Sequence, residues 1–344
     1  MDKEVILTGL RSNSEFHLGN YLGAISPMVN LQKKHAGKYQ LNMFVPDLHS
    51  FTTPVEHGKL YEQTHQNLKI FVAAGLEIDQ PDTFIYRQSF IPAHSEMAWI
   101  LGCFTGFGEM SRMTEFKDKA QTVGAAHITL GLFNYPILMA SDILLYGAKW
   151  VPVGEDQRQH VEFARDIAIR MNRKFGDIFV VPEDNKKQMA FAGRSQPVRI
   201  RSLRNPDRKM SKSIGDPAGT IMLSDNPDEA ANKVISATTD SVGVINLDFD
   251  KQPGVSNLLQ ILAHLSNKPQ TEINGRFVGK LSYSQLKEEV ADAVKNFLAD
   301  LQTKLLTIDD HKLMRKLAVD EEAMRQVASA TLLNVQKVVG LRPA

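Results

Sequence analysis

Val5-Ile6-Leu7-Thr8-Gly9, followed after a short gap by His17-Leu18-Gly19-Asn20, is the part of the chain that decides the fold. A β-branched apolar run ending in Thr-Gly reads as a buried strand. From Leu18 to Lys34 the residues Leu18, Tyr21, Leu22, Ile25, Met28 and Val29 fall on one stripe, so the strand feeds an amphipathic helix through a turn. Such a junction offers backbone N–H groups and the positive end of a helix dipole, which together receive phosphate. Within it His17 brings an imidazole, Gly19 lets a nucleotide approach the backbone, and Asn20 adds an amide donor.

The same alternation continues outward. Candidate strands at Val5–Thr8, Leu41–Val45, Thr83–Arg87, Trp150–Val153 and Ile178–Val181 alternate with helical stretches such as Glu155 to Met171. Alternation of this kind implies crossover units, a parallel sheet and ligands at the carboxyl ends of its strands. His17, Asp47, His49 and Gly154 stand at such ends. After about residue 225 the pattern is helical: Asn226-Pro227-Asp228-Glu229 is a cap with acids in the first turn, and helices are expected at Ser256–Leu265, Ser284–Leu306 and Glu321–Val339. Turns are expected at Lys268-Pro269 and Gly275. The fold class is α/β, a parallel-sheet domain with an appended α-helical domain.

At 344 residues, 43% apolar and 23% charged, the chain has an ordinary globular composition with room for more than one domain. No apolar run reaches bilayer length, and Met1-Asp2-Lys3-Glu4 is no signal peptide. The lone Cys103 excludes an intrachain disulfide and a multi-cysteine metal site; its neighbours Ile100, Leu101 and Phe104 predict a buried, inert thiol in a cytoplasmic protein. A net charge of +1 gives no overall basic character, yet Arg194, Arg199, Arg201, Arg204, Arg208, Lys209 and Lys212 form a local basic stretch, punctuated by Gly193, Pro206 and Gly215 as in a mobile loop.

Three further stretches carry chemistry. In Lys209-Met210-Ser211-Lys212-Ser213 two ammonium groups on a loop can follow the charge that develops as pyrophosphate leaves. Asp142 lies in the apolar run Tyr135 to Tyr146, where a carboxylate needs partners. It is either tied to an arginine or a helix N-terminus, or it serves as an acceptor for a donor on an apolar ligand. Met139, one turn earlier, offers a polarizable wall. In Val151-Pro152-Val153-Gly154-Glu155-Asp156-Gln157 a glycine permits close approach, and the residues after it can accept from ribose hydroxyls or an amine. No Ser–His–Asp or Cys–His arrangement is evident.

These motifs in this order resemble bacterial-type tryptophanyl-tRNA synthetases, class I enzymes whose two signatures look like His17–Asn20 and Lys209–Ser213. Pro92-Ala93-His94, Gly108 to Thr114, Tyr135 to Tyr146, Val151 to His160 and Pro253 to Leu259 extend the likeness over essentially the whole chain. The resemblance implies a Rossmann-type ATP- and Trp-binding catalytic domain over residues 1–200, a signature loop and linker over 201–224, and a helical tRNA anticodon-binding region over 225–344. The last helix, about 310–344, would pack back on the catalytic domain. It implies a cytoplasmic homodimer that uses ATP with Mg2+, L-tryptophan and tRNA(Trp).

By position, His17, Asn20, Lys209 and Lys212 match catalytic residues. Arg11, Ser12, Asn13, Gly19, Asn20, Gly154, Glu155, Asp156, Ile200, Lys209, Met210, Ser211, Lys212 and Ser213 match ATP contacts, and Asp142, Tyr135, Met139, Gln157 and His49 match the tryptophan pocket. No residue matches a protein metal ligand. Where the family has Gln-Pro-Ser-Gly or Arg-Pro-Thr-Gly, this chain has Arg11-Ser12-Asn13-Ser14, which predicts a differently shaped or more mobile loop. Three other readings are a tyrosyl-tRNA synthetase, a nucleotidylyltransferase of the same superfamily and a non-catalytic paralogue. They predict, in turn, a polar hydroxyl-binding pocket, no helical domain, and loss of the signature histidine or lysines.

Overall fold

The computed structural model describes residues 3–10, 12–52, 54–114, 116–117, 128–193, 198–212 and 215–343. Among them four strands form one parallel sheet: β1 (Val5–Gly9), β2 (Gln40–Val45), β3 (Thr83–Arg87) and β4 (Ala148–Trp150), in the order β3-β2-β1-β4. β1 runs beside β2 with Val5 opposite Gln40 and Gly9 opposite Phe44; β2 runs beside β3 with Leu41 opposite Thr83 and Val45 opposite Arg87. The chain winds to one side through β2 and β3, then returns to set β4 on the other side of β1. The winding therefore reverses at β1, and a crevice opens beyond the carboxyl ends of β1 and β4.

Both faces of the sheet are covered, as the continuous apolar runs require. Ile6, Leu41, Met43 and Ile85 face one core, shared with Leu18, Leu22 and Ile25 and continuous with the helical residues Leu258, Val290 and Leu298. Leu7, Phe44 and Tyr86 face the other, with Met97, Ile143, Ala164 and Ile167. Met324, Ala328 and Val335 of the final helix Asp310–Val338 join this second core. That helix also covers the exposed edge of the sheet. Asp320 accepts the Ile85 N–H at 2.7 Å, and Glu321 accepts the Arg87 N–H at 3.3 Å and its guanidinium at 2.5 and 2.9 Å. Edge donors of β3 that would otherwise invite another strand are thus satisfied by carboxylates.

Several sequence expectations need correction. Ile178–Val181 is not a strand: the Asn172 side chain accepts from the Ile178 and Phe179 N–H groups and donates to the Phe179 carbonyl, taking bonds a neighbouring strand would make. β4 stops at Trp150, because the Val151 N–H goes to Gln188 Oε1 at 2.9 Å. Gly275 lies inside the helix Gln270–Phe277 and not in a turn. The pattern at Glu321–Val339 is only the later part of the final helix Asp310–Val338, whose start is the one the resemblance implied and where the Asp309 side chain caps the Lys312 N–H. Cys103 is exposed, not buried; it ends the helix Ala93–Cys103 on the side away from the buried Met97, Ile100 and Leu101. No helix among the described residues is long and apolar enough to cross a membrane.

Candidate active site

The first signature is built as a reciprocal cap. His17 Nδ1 accepts the Asn20 N–H at 3.3 Å, and Asn20 Oδ1 accepts the His17 N–H at 3.1 Å. A neutral imidazole that accepts at Nδ1 carries its proton on Nε2, and Asn20 keeps its amide N–H groups for other work. A wide π-turn, Tyr21–Ile25, follows before the helix Ser26–His35. Pro27 accounts for it, since a residue without an N–H cannot close the ordinary bond to Gly23. Space is tight at Gly23, where a Cβ would lie 3.1 Å from the Val198 carbonyl, and at Gly19, where it would meet His17 Nδ1 at 3.0 Å.

The two signatures meet in space. The Leu18 N–H donates to the Ile221 carbonyl at 2.8 Å and the Leu223 N–H to the Phe16 carbonyl at 3.0 Å, so the segment just after the second signature pairs with the first. The second signature is anchored more firmly than a loose loop. Arg201 and Lys209 form an antiparallel bridge, and the Met210 N–H donates to the Ile200 carbonyl at 3.0 Å. Ile200 and Met210 are buried in the core, which leaves their backbones as the parts a nucleotide can touch. Arg199, Arg204, Arg208, Lys209 and Lys212 are exposed, and Lys212 pairs with Glu15 at 2.7 Å. Arg11, Arg194 and Ser213 lie outside the described residues.

Ser12, Asn13 and Ser14 lack the proline and glycine that favour this turn, yet they are tied down. Ser12 Oγ lies 2.6 Å from Ser50 Oγ, Thr64 Oγ1 donates to the Ser12 carbonyl at 3.2 Å, and Asn67 Nδ2 to the Ser14 carbonyl at 3.2 Å. Ser14 takes φ 65°, a left-handed conformation that glycine adopts without strain.

At the crevice, a pocket of about 440 Å3 is lined by Thr8 of β1, by Gly23, Ala24, Pro27 and Lys34 of the first helix, and by Val151 to Glu155 after β4. Gly154 and Glu155 thus come together with the first helix. Asp156 and Gln157 turn toward each other, with Gln157 Nε2 donating to Asp156 Oδ2 at 2.9 Å, and do not line this pocket.

Asp142 occupies a separate, closed site. It is fully buried on the helix Leu130–Leu144, and its partners are neither an arginine nor a helix N-terminus. Its Oδ1 lies 2.6 Å from His94 Nδ1 and accepts from Gln88 Nε2 at 2.7 Å; its Oδ2 lies 2.9 Å from His49 Nε2. Burial pushes the carboxyl up, but the hydrogen bonds of His49 and His94 outweigh it and hold the group below the ordinary carboxylate value. His94 Nε2 in turn lies 2.8 Å from the Tyr146 hydroxyl, which burial and the Asp142 charge push well above the ordinary phenol value. The Tyr135 ring stands edge-on to His49 at 6.2 Å, with its hydroxyl 2.9 Å from His160 Nε2; Met139 is half-buried on the same helix.

Sequence reasoning singled out Asp142 and His49 but gave no role to Gln88, His94, Tyr146 or His160. The signal was available for Gln88, a polar residue directly after β3, and for His94, a histidine at the start of an apolar helix.

A family model described as tRNA synthetases class I (W and Y) matches residues 2–299. The tryptophan--tRNA ligase of Caldanaerobacter subterraneus subsp. tengcongensis is 40% identical over 336 residues, covering 98% of each chain. The solved tryptophanyl-tRNA synthetase of Mycoplasma pneumoniae superposes with a TM-score of 0.79 at 32% identity, covering 99% of this chain and 98% of the other. That of Campylobacter jejuni, complexed with ADP and tryptophan, superposes at 0.76 with 29% identity over 98% and 99%. The chain belongs to the class I tRNA synthetases of the tryptophan and tyrosine group.

Proposed function

We propose that the chain is the tryptophan-specific member of this group. It activates L-tryptophan with ATP to tryptophanyl-adenylate, releases pyrophosphate, and transfers tryptophan to tRNA(Trp). The observation that carries the reading is Asp142, a fully buried acceptor on an apolar helix, its carboxyl held below the ordinary carboxylate value by its histidine partners. Indole presents one N–H on a large apolar body. Phenylalanine would leave the acceptor short of a donor, at about 1–3 kcal/mol or more. Tyr135, Met139, His49 and Gln157 complete the amino-acid side of the site.

ATP lies in the crevice, its adenosine against Gly19, Gly154, Glu155 and the Ile200 and Met210 backbones, its phosphates toward Asn20, His17 and the second signature; Asp156 reaches the nucleotide only by turning from Gln157. Ser12, Asn13 and Ser211 border the phosphates; Arg11 and Ser213, outside the described residues, keep only the ATP role that their place in the sequence implies. The tryptophan carboxylate attacks the α-phosphate in line, which needs positioning and charge stabilisation, not a protein nucleophile. His17, with its proton on Nε2, donates to a phosphate oxygen. Lys209 and Lys212 follow the charge onto the departing pyrophosphate. Lys212 leaves Glu15 to do so, a small cost because an exposed ion pair of this kind is worth about 0–1 kcal/mol.

Mg2+ accompanies the ATP, where it neutralises phosphate charge. Among the described residues no group of three or more His, Cys, Asp or Glu side chains is arranged to hold a metal ion, and an Mg2+ carried by phosphate oxygens and water needs none.

The helical region 225–344 contacts the anticodon, the signature loop over 201–224 links it to the catalytic domain of residues 1–200, and the enzyme works in the cytoplasm as a homodimer. Trp99 and Phe107, which are 75% and 76% exposed, line an apolar groove that a second copy covers.

Amino-acid-dependent ATP–pyrophosphate exchange tests the reading. Exchange with tryptophan and hardly any with tyrosine or phenylalanine is expected. Equal exchange with tyrosine, or none with any amino acid, overturns it.

A further inference from the structure

Asp142 has about four lone-pair sites as a carboxylate, and the structure fills three of them. His94 Nδ1 and Gln88 Nε2 reach Oδ1 at 2.6 and 2.7 Å, and His49 Nε2 reaches Oδ2 at 2.9 Å. One acceptor site remains, on Oδ2, the oxygen shared with His49. His49 is also the member of the set nearest solvent, its side chain 18% exposed against 1% for Asp142 and 0% for His94.

Which way that oxygen points depends on His94. The ring is held at both ends, by Asp142 at Nδ1 and by the Tyr146 hydroxyl, 2.8 Å from Nε2. A neutral imidazole carries one proton. On Nε2, it would leave a lone pair at Nδ1 facing the carboxylate at hydrogen-bond distance, which is repulsive. The Tyr146 O–H, donating to Nε2, selects the other tautomer and keeps the proton on Nδ1, aimed at Asp142. The Tyr86 ring packs beside that of Tyr146 at a centroid distance of 5.2 Å and helps to hold the phenol ring in place. Tyr146 and Asp142 sit one turn apart at the end of the same apolar segment, while His94 comes from the helix Ala93–Cys103 packed across it.

We propose that Tyr146 and His94 are positioning residues for specificity: their hydrogen-bonded chain fixes the Asp142 carboxylate so that its last acceptor site, beside His49, meets an indole N–H. The inference rests on the reading of Asp142 given above and deepens it. Neither residue touches the amino acid. Their effect is confined to ligands that donate at this point, and a ligand of the same shape without the N–H gains nothing from them.

The test is pyrophosphate exchange with L-tryptophan and with 3-(benzothiophen-3-yl)-L-alanine, in which sulfur replaces the indole N–H. The unaltered protein prefers tryptophan by roughly a hundredfold or more in kcat/KM. Tyr146→Phe lowers that preference about tenfold, the worth of one neutral hydrogen bond, through the KM for tryptophan and not through kcat, and leaves the benzothiophene substrate unchanged. A second pair of variants stands if Tyr146→Phe does not fold. His94→Asn sets its amide donor where Nδ1 sits and keeps most of the preference, whereas His94→Gln sets it where Nε2 sits and loses it.

If the unaltered protein shows no preference between the two substrates, the Asp142 reading itself fails. If it shows the preference and the variants lose both substrates in equal proportion, or keep the preference intact, Asp142 stands and the positioning role of His94 and Tyr146 is overturned.

Discussion

The two halves of the site handle charge in opposite ways. On the amino-acid side, one carboxylate is sealed in the core with three donors at 2.6 to 2.9 Å, and each donor is braced by the sheet, a short helix or a packed helix. On the proposed nucleotide side the charges stand on exposed loops; Lys212 pairs with Glu15, and more than half of each side chain is exposed. The contrast follows the substrates. An indole N–H carries no charge and differs little from a C–H, so reading it needs an acceptor that is already desolvated and fixed. A triphosphate carries several charges and sheds part of them during the reaction, so cations on movable stems serve it better than a rigid cage.

The largest effect should come from breaking the rigid half. Asp142→Asn leaves His49 or His94 facing an amide in place of a carboxylate, inside the core. We expect kcat/KM for tryptophan to fall by roughly a thousandfold in pyrophosphate exchange, with a drop of about 1–3 kcal/mol in unfolding free energy measured by urea titration. Lys212→Ala comes next and separates the two quantities. Exchange should fall by roughly a hundredfold, mainly in kcat, while stability stays within about 1 kcal/mol of the parent. Should Lys212→Ala prove strongly destabilising, or Asp142→Asn leave stability unchanged, the contrast between a built site and a mobile one would be wrong.

How much of this was legible in the sequence follows the same division. Strand–turn–helix spacing placed Gly154 at the crevice and put His17 and Gly19 at the helix start that follows β1, because hydrophobic periodicity and glycine are local signals. Asp142 stood out because a carboxylate in an apolar run is a local anomaly. Its partnerships did not: His49, Gln88 and His94 lie 93, 54 and 48 residues from it along the chain, and only the fold makes them its neighbours. The missed edge cover is of the same kind. Asp320 and Glu321 read as ordinary helix-surface acids, yet they close β3 from 235 and 234 residues away. Ile178–Val181 failed for a shorter-range reason, since the Asn172 amide replaces a strand partner and leaves the β-branched pattern intact.

A smaller effect separates buried carboxylates by pH. Asp142 has its pKa lowered in the fold, so its stabilisation is complete above its unfolded value of about 3.9 and is lost as pH falls through the lower folded value. Asp320 has its pKa raised, by burial more than the Ile85 N–H and Lys316 can offset, so at neutral pH its charge opposes folding, and the penalty fades as pH falls through the raised value. Asp320→Asn retains an oxygen for the Ile85 N–H. Its unfolding midpoint, relative to the parent, should be higher at pH 7 than at pH 4, whereas the deficit of Asp142→Asn should persist unchanged over that interval. Parallel thermal melts at the two pH values decide it.

The smallest effect lies in the turn before the first signature and tests whether the nucleotide half carries strain. Ser14 holds φ 65° while its carbonyl accepts from Asn67, and the turn is closed by the Ser12–Ser50 contact. A serine in the left-handed region costs about 1 kcal/mol or slightly more relative to glycine. Glycine recovers that strain but gives back part of it through the greater freedom of the unfolded chain. Ser14→Gly should therefore raise stability by several tenths of a kcal/mol, with the bonds of Thr64 and Asn67 to the backbone retained. If the strain is a reservoir spent on ATP, the same variant should also change the KM for ATP, leaving that for tryptophan alone. If it is only an inherited cost of the altered turn, stability should rise and both KM values should stay where they are. The second outcome is the one the geometry favours, because Thr64 and Asn67, whose side chains hold the turn, are not among the residues that line the crevice pocket.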